Sequence, residues 1–272
     1  MGILNATPDS FSDGGAYLDP SVATRRVVEM VRQGADSIDI GGESTRPGAS
    51  LVSSDEELRR TIPVIRAVRA AVGPDIRVSI DTSKSEVAIR ALQAGADLLN
   101  CCGGFDADKG LIDLAVRKRC AVVIYHRPTD KHPGSSVKDV YTFFQRSIRS
   151  GLVRGMRREQ FILDPGIGFG KTVKENIDLL HALDRFASFG CPILIGVSRK
   201  SHLSTLTKDW PGRGFNGRLE SGLAETAIAI LNGASIVRTH DVLETKSFVT
   251  ALDSLIHLKH SHEQNERDHI RA

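Results

Sequence analysis

The chain has 272 residues, 40% hydrophobic and 25% charged, with 36 Lys and Arg against 33 Asp and Glu for a net charge of +3. So small an excess leaves no electrostatic footprint for nucleic acid or an anionic membrane surface. No apolar run approaches the roughly 20 residues that cross a bilayer, and the length suits a single α/β barrel, commonly about 250 residues.

The chain opens in a strand at 2–5, too short an apolar start for a signal peptide. Apolar, β-branched runs then recur at 37–40, 77–80, 97–100, 121–125, 160–163, 192–197 and 235–239. Amphipathic stretches at 20–33, 55–72, 85–94, 110–118, 137–156, 173–186, 221–231 and 243–257 alternate with them. Eight strands, each followed by a helix, predict a single-domain (β/α)8 TIM barrel over 1–258, with an open doubly wound sheet as the alternative. Gly34, Gly95, Gly190 and Gly233 stand where the chain must leave a helix in a left-handed conformation. The polar tail at 259–272 reads as frayed. Cys101, Cys102, Cys120 and Cys191 form no CxxC pair and read as free thiols in a reducing cytoplasm.

Barrels of this kind build their sites at the C-terminal rim of the strands. There the strands deliver, in order, Asn5, the run 41–48, Asp81, Asn100, His126, Asp164, the run 198–201, and Arg238 with His240. Any one of these is more simply a cap or a solvated loop residue, but eight on one rim make a constellation. Asp81, Asn100 and Asp164 suit the N–H and C=O edges of a flat heterocycle. Arg46, Arg238 and His240 offer cationic donors to a phosphate group, and Asn5 a neutral oxygen for Mg2+ beside it. Together they point to group transfer from a phosphorylated heterocycle. Residues 168–172 end like a Walker A loop, but Pro165 stands where its first Gly belongs.

Four segments carry a resemblance: MGILNATPDSFSDGG at 1–15, GGESTRPG at 41–48, DPGIGFGK at 164–171 and SRKS at 198–201. With DTS at 81–83 and RTHD at 238–241, they resemble the signatures of the dihydropteroate synthases. The resemblance implies a cytoplasmic TIM-barrel homodimer and transferase, the sulfonamide target of folate biosynthesis. Such an enzyme condenses 6-hydroxymethyl-7,8-dihydropterin pyrophosphate with p-aminobenzoate, with Mg2+, to dihydropteroate and pyrophosphate. It implies that Asp81, Asn100, Asp164 and Lys200 hold the pterin. Asn5, Arg238 and His240 bind the pyrophosphate, with Asn5 also at the metal. Phe11, Thr45, Arg46, Pro47 and Ser201 frame p-aminobenzoate. Asp164, Lys200 and Asp13 carry the catalysis, Asp13 within the first loop.

The sequence departs from the family pattern at Cys101, where Asp is usual, at 126–129 after the fifth strand, and at His202, where an apolar residue is common. These departures raise an alternative, a pterin-binding paralogue with impaired turnover. A pterin-dependent methyltransferase is a third reading, which the phosphate-binding residues oppose.

Overall fold

The computed structural model describes residues 1–7, 19–43, 52–102, 105, 108–129, 134–206 and 218–271, and the side chains of Cys102 and 258–271 are outside it. In chain order the elements are β1 (Gly2–Asn5), α1 (Pro20–Arg32), β2 (Ser37–Gly41), α2 (Ser54–Val72), β3 (Arg77–Asp81), α3 (Ser85–Ala94), β4 (Leu98–Cys102), α4 (Gly110–Lys118), β5 (Ala121–Tyr125) and α5 (Val137–Val153). They continue as β6 (Phe161–Asp164), α6 (Val173–His181), α7 (Leu183–Ala187), β7 (Leu194–Ile195), α8 (Leu203–Leu206), α9 (Arg218–Leu231), β8 (Ile236–Val237) and α10 (Val242–Arg271).

Strands β1 to β6 form one parallel sheet in sequential order, and β7 pairs with β8. Two isolated parallel bridges, Leu163 with Ile193 and Gly2 with Thr239, join the two sheets at both edges. The ring of eight strands is thereby closed, and the predicted barrel is what the chain builds.

Local chemistry starts the helices where the pattern places them. Asp19 caps α1 through Ser21 N at 2.7 Å, with Pro20 in the first turn. Ser136 with Asp139 and Thr172 with Glu175 form capping boxes on α5 and α6, satisfying backbone donors that a helix start leaves open. The four glycines at the helix-to-strand joints all have positive φ, from 66° at Gly190 to 115° at Gly95.

Alternation along the strands sorts two layers. Leu98, Val123, Ile162 and Leu194 pack together with Met1, Ala121 and Ile236 as an apolar plug inside the barrel. Two residues beyond Leu98, Ile162 and Ile236, on the same inward face, stand Asn100, Asp164 and Arg238. The plug is the floor of a polar chamber. Outward residues such as Ile40, Ile80, Leu99 and Ile124 join the larger core under the helices.

The structure differs from the periodicity at several places: the eighth strand is only Ile236–Val237, and the tail expected to fray is helical, α10 continuing to Arg271. The expected helix over 173–186 is broken at Ala182 into α6 and α7, with no Gly or Pro to signal it. The seventh strand, expected over 192–197, is reduced to Leu194–Ile195. Pro192 has no N–H to give its neighbour, so its carbonyl, accepting from Leu163 N at 2.9 Å, makes a one-sided contact. A further short helix, α8, precedes α9.

Candidate active site

The chamber is built around Arg238, whose guanidinium reaches back into the barrel from the end of β8. Its Nε donates to Asp39 Oδ2 at 2.7 Å and its Nη2 to Asp81 Oδ2 at 3.2 Å. Asn100 Nδ2 donates to the same Asp39 oxygen at 2.9 Å. Four strands thus tie their inward side chains together. Burial opposes the charge on Arg238, but Asp39 and Asp81 outweigh it and raise its pKa.

The carboxylates bear the cost of this arrangement. Burial, and then the charge of Asp39, push Asp81 up to about 7 against the pull of Arg238. Burial also raises Asp164, although Gly166 N donates to its Oδ1 at 2.7 Å and Lys200 and Arg238 oppose the rise. Lys200 is pushed down to about 7 by burial and by Arg238, with Asp164 and Asp81 pulling the other way. Asp164, Lys200 and Arg238 therefore share one field in one chamber. Perturbed acids and bases clustered in a cleft mark functional sites.

The loop after β6 forms one wall. Gly166 has φ 71°, and a Cβ there would lie 1.9 Å from the carbonyl oxygen of His126, so no side chain fits. Lys171 Nζ donates to the carbonyls of Gly166 at 2.8 Å, His126 at 3.1 Å and Phe169 at 3.3 Å. Its ammonium is spent on knitting this loop. Phe169 stacks on Tyr125 with centroids 5.2 Å apart. Lys200 Nζ lies 3.5 Å from the Phe169 ring centroid, a cation held against an aromatic face.

The ends of β7 and β8 form the opposite wall. Ser198 Oγ lies 3.1 Å from His240 Nδ1 and accepts the His240 backbone N–H at 3.1 Å. Arg199 pairs with Asp241 at 2.6 Å. Burial, then Arg199 and Arg238, push His240 down to about 3. It is a neutral donor in this state, which corrects its reading as a cation.

Of the residues expected at the site, Asp81, Asn100, Asp164, Lys200 and Arg238 converge, and His240 stands beside them. Asn5 ends β1 on the same inward parity, aligned with Gly41, and its amide makes no hydrogen bond to a described residue. Ser201 directly follows Lys200. Phe11, Asp13, Thr45, Arg46 and Pro47 lie outside the described residues. His126 belongs elsewhere: its ring packs edge-on against Phe143 at 5.2 Å, and burial, then Lys171, push it down to about 3. Tyr125 takes the inward place on β5.

Asp39 was not expected, yet it is the most connected acid of the chamber and has no exposed surface. Its signal in the sequence was a lone carboxylate between Ile38 and Ile40 in a strand otherwise without charge.

A family model described as pterin binding enzyme matches residues 1–240. A dihydropteroate synthase of Clostridium beijerinckii is 42% identical over 94% of this chain and 93% of its own length.

The chain belongs to the dihydropteroate synthase family of pterin-binding enzymes.

Solved structures agree. The Clostridium difficile synthase, in the presence of pteroic acid, matches with a TM-score of 0.85 and 41% identity over 94% of this chain and 95% of that one. The Yersinia pestis synthase, in complex with a sulfonamide drug, matches with a TM-score of 0.84 and 36% identity over 94% and 93%. Against the family pattern, two departures sit outside the chamber. Cys101 alternates outward with Leu99 and is wholly buried in the core beneath the helices, so it does not replace a ligand-facing acid. His202 is paired with Glu225 at 2.9 Å, both buried, between the β7 loop and α9. Neither departure favours the impaired paralogue.

Proposed function

We propose that this enzyme joins p-aminobenzoate to the methylene carbon of a dihydropterin with loss of pyrophosphate, the reaction of its family. The single observation that carries the reading is the convergence of Asp81, Asn100, Asp164, Lys200 and Arg238 in one buried chamber.

In this reading the pterin lies on Arg238, with its N–H edges accepted by Asp164 and Asp81 and its carbonyl edge met by Lys200 and Asn100. As the bond from methylene carbon to phosphate oxygen breaks, positive charge spreads into the ring. The carboxylate of Asp164 then binds the transition state better than the ground state. The amine nitrogen attacks the same carbon, forms the new C–N bond and releases its proton to solvent.

With the Ser198 hydroxyl donating a hydrogen bond to His240 Nδ1, the neutral ring keeps its proton on Nε2, to donate to the leaving pyrophosphate alongside Arg238. Phe11, Thr45, Arg46, Pro47 and Ser201 frame p-aminobenzoate, and Asp13 orders the first loop. The sulfonamide bound by the Yersinia pestis relative supports inhibition of this enzyme by the same drugs.

Mg2+ suits this donor set as a passenger of the pyrophosphate. Among the described residues no group of three His, Cys, Asp or Glu could cage a metal, whereas Asn5 presents one hard, unengaged amide oxygen. Mg2+ usually keeps waters and takes one or two protein ligands with substrate phosphates. Asn5 would hold it there, and the ion would supply positive charge to the leaving group. The purified enzyme is expected to release pyrophosphate only when both substrates and Mg2+ are supplied, with loss on chelation and inhibition by sulfonamide. Release that needs no p-aminobenzoate, or none at all, overturns the reading.

Two copies associate through the face of α6, α8 and α9. A groove of about 410 Å3 there is lined by Ile177, Leu180, Leu206, Ala224 and Ile228, and Leu206 and Leu231 are exposed nearby. Light scattering is expected to give twice the 29.5 kDa chain mass; a monomer at micromolar concentration refutes the pairing. The enzyme works in the cytoplasm, a reading supported by the buried thiols of Cys120 and Cys191. No helix among the described residues is long and apolar enough to cross a membrane.

A further inference from the structure

Asp39 stands mid-strand in β2, aligned with Ser79 of β3, and has no exposed surface. One oxygen, Oδ2, accepts from both Arg238 Nε and Asn100 Nδ2, side chains that enter from β8 and β4. The other, Oδ1, is buried with no hydrogen-bond partner. We infer that Asp39 is a positioning residue for this reaction: a two-armed clamp that sets Arg238 and Asn100 before the pterin arrives and tunes the neighbouring Asp81. The inference rests on the synthase reading of the chamber.

The role of Asp39 has two parts. Hydrogen bonds to an ionised acceptor are shorter and roughly twice as strong as neutral ones, so one carboxylate oxygen can hold a guanidinium and an amide in fixed register. The misplacement of a binding group by about 1 Å costs on the order of a hundredfold in rate. Asp39 also acts through its charge. It raises Asp81, which faces Arg238 from β8, Glu57 from α2 and Lys200 from the β7 loop as well. Asp39 itself faces Arg238, Asp81 and the Met1 amino group. The orphan oxygen leaves its charge incompletely answered.

Asp39→Asn and Asp39→Ala separate the two parts. Asn keeps an acceptor oxygen in place and removes the charge; Ala removes the clamp. Asp39→Asn is expected to lower kcat/KM about tenfold and move the acid limb of its pH profile to lower pH, because Asp81 loses a like-charged neighbour. Asp39→Ala is expected to lose about a hundredfold, chiefly as a higher KM for the pterin substrate. Calorimetry with 6-hydroxymethyl-7,8-dihydropterin should show weaker binding in both variants. An unchanged limb and affinity in Asp39→Asn overturn the inference, as does failure of both variants to fold, which would make the role structural only. Wild-type protein that binds this pterin but releases no pyrophosphate would sink the synthase reading, whereas unchanged kinetics and pterin affinity in both variants of a working synthase would sink the clamp alone.

Discussion

Asp164→Asn is expected to reduce kcat by two to three orders of magnitude while leaving the KM for the pterin substrate within a few fold. The carboxylate is buried, at 6% exposure, and its Oδ1 is fixed by Gly166 N at 2.7 Å. Asn keeps the shape and an acceptor, so ground-state binding survives. What disappears is the negative charge beside a ring that becomes cationic as pyrophosphate departs. Removing one preorganised electrostatic partner typically costs about 10²–10³ in kcat, and a loss confined to kcat marks an interaction made in the transition state. Steady-state release of pyrophosphate, with circular dichroism to check the fold, measures it. A kcat within threefold of wild type would remove Asp164 from the chemistry.

Arg238→Met is expected to destabilise the protein as well as silence it. Arg238 is the shared partner of Asp39 and Asp81, and removing one member of a buried ionic set costs about 3–5 kcal/mol. For a chain of this size that is on the order of 10 °C in Tm. The effect depends on pH, and its sign follows from Asp81. Its folded pKa of about 7 lies above the ordinary carboxylate value, so the native state holds the proton more tightly than the unfolded chain. The stability this group contributes is present at low pH and declines as pH rises toward 7. Without Arg238 the folded pKa climbs further and the decline extends to higher pH. Thermal unfolding should therefore show a larger Tm deficit at pH 8 than at pH 5.5. Equal deficits would mean that Arg238 acts by packing alone.

Much of this molecule is legible in its sequence because each strand ends in a residue of distinct chemistry. The bounds of β1 and β5 follow from apolar runs flanked by turn residues, and Asp81, Asn100 and Asp164 are visible as the polar residues that end such runs. Asp39 escaped because it stands inside a run, where the rim rule does not look. A charge between two isoleucines is legible only when the barrel's inward parity is applied along the whole strand. His126 misled for the opposite reason: it follows the last inward residue, and one step in a strand reverses the face. The break at Ala182 has no local cause in the sequence; beyond it α7 buries Leu183 and Phe186.

The barrel is sealed unevenly. β4 and β5 are joined across five aligned residue pairs, whereas β6 meets the β7 edge at the single bridge of Leu163 with Ile193. Asp164 flanks that seam on one side and Lys200 on the other. A ligand held between Asp164 and Lys200 would thus bridge one of the two single-rung joints of the cylinder, the other being Gly2 with Thr239, while the plug beneath spans β4 to β7.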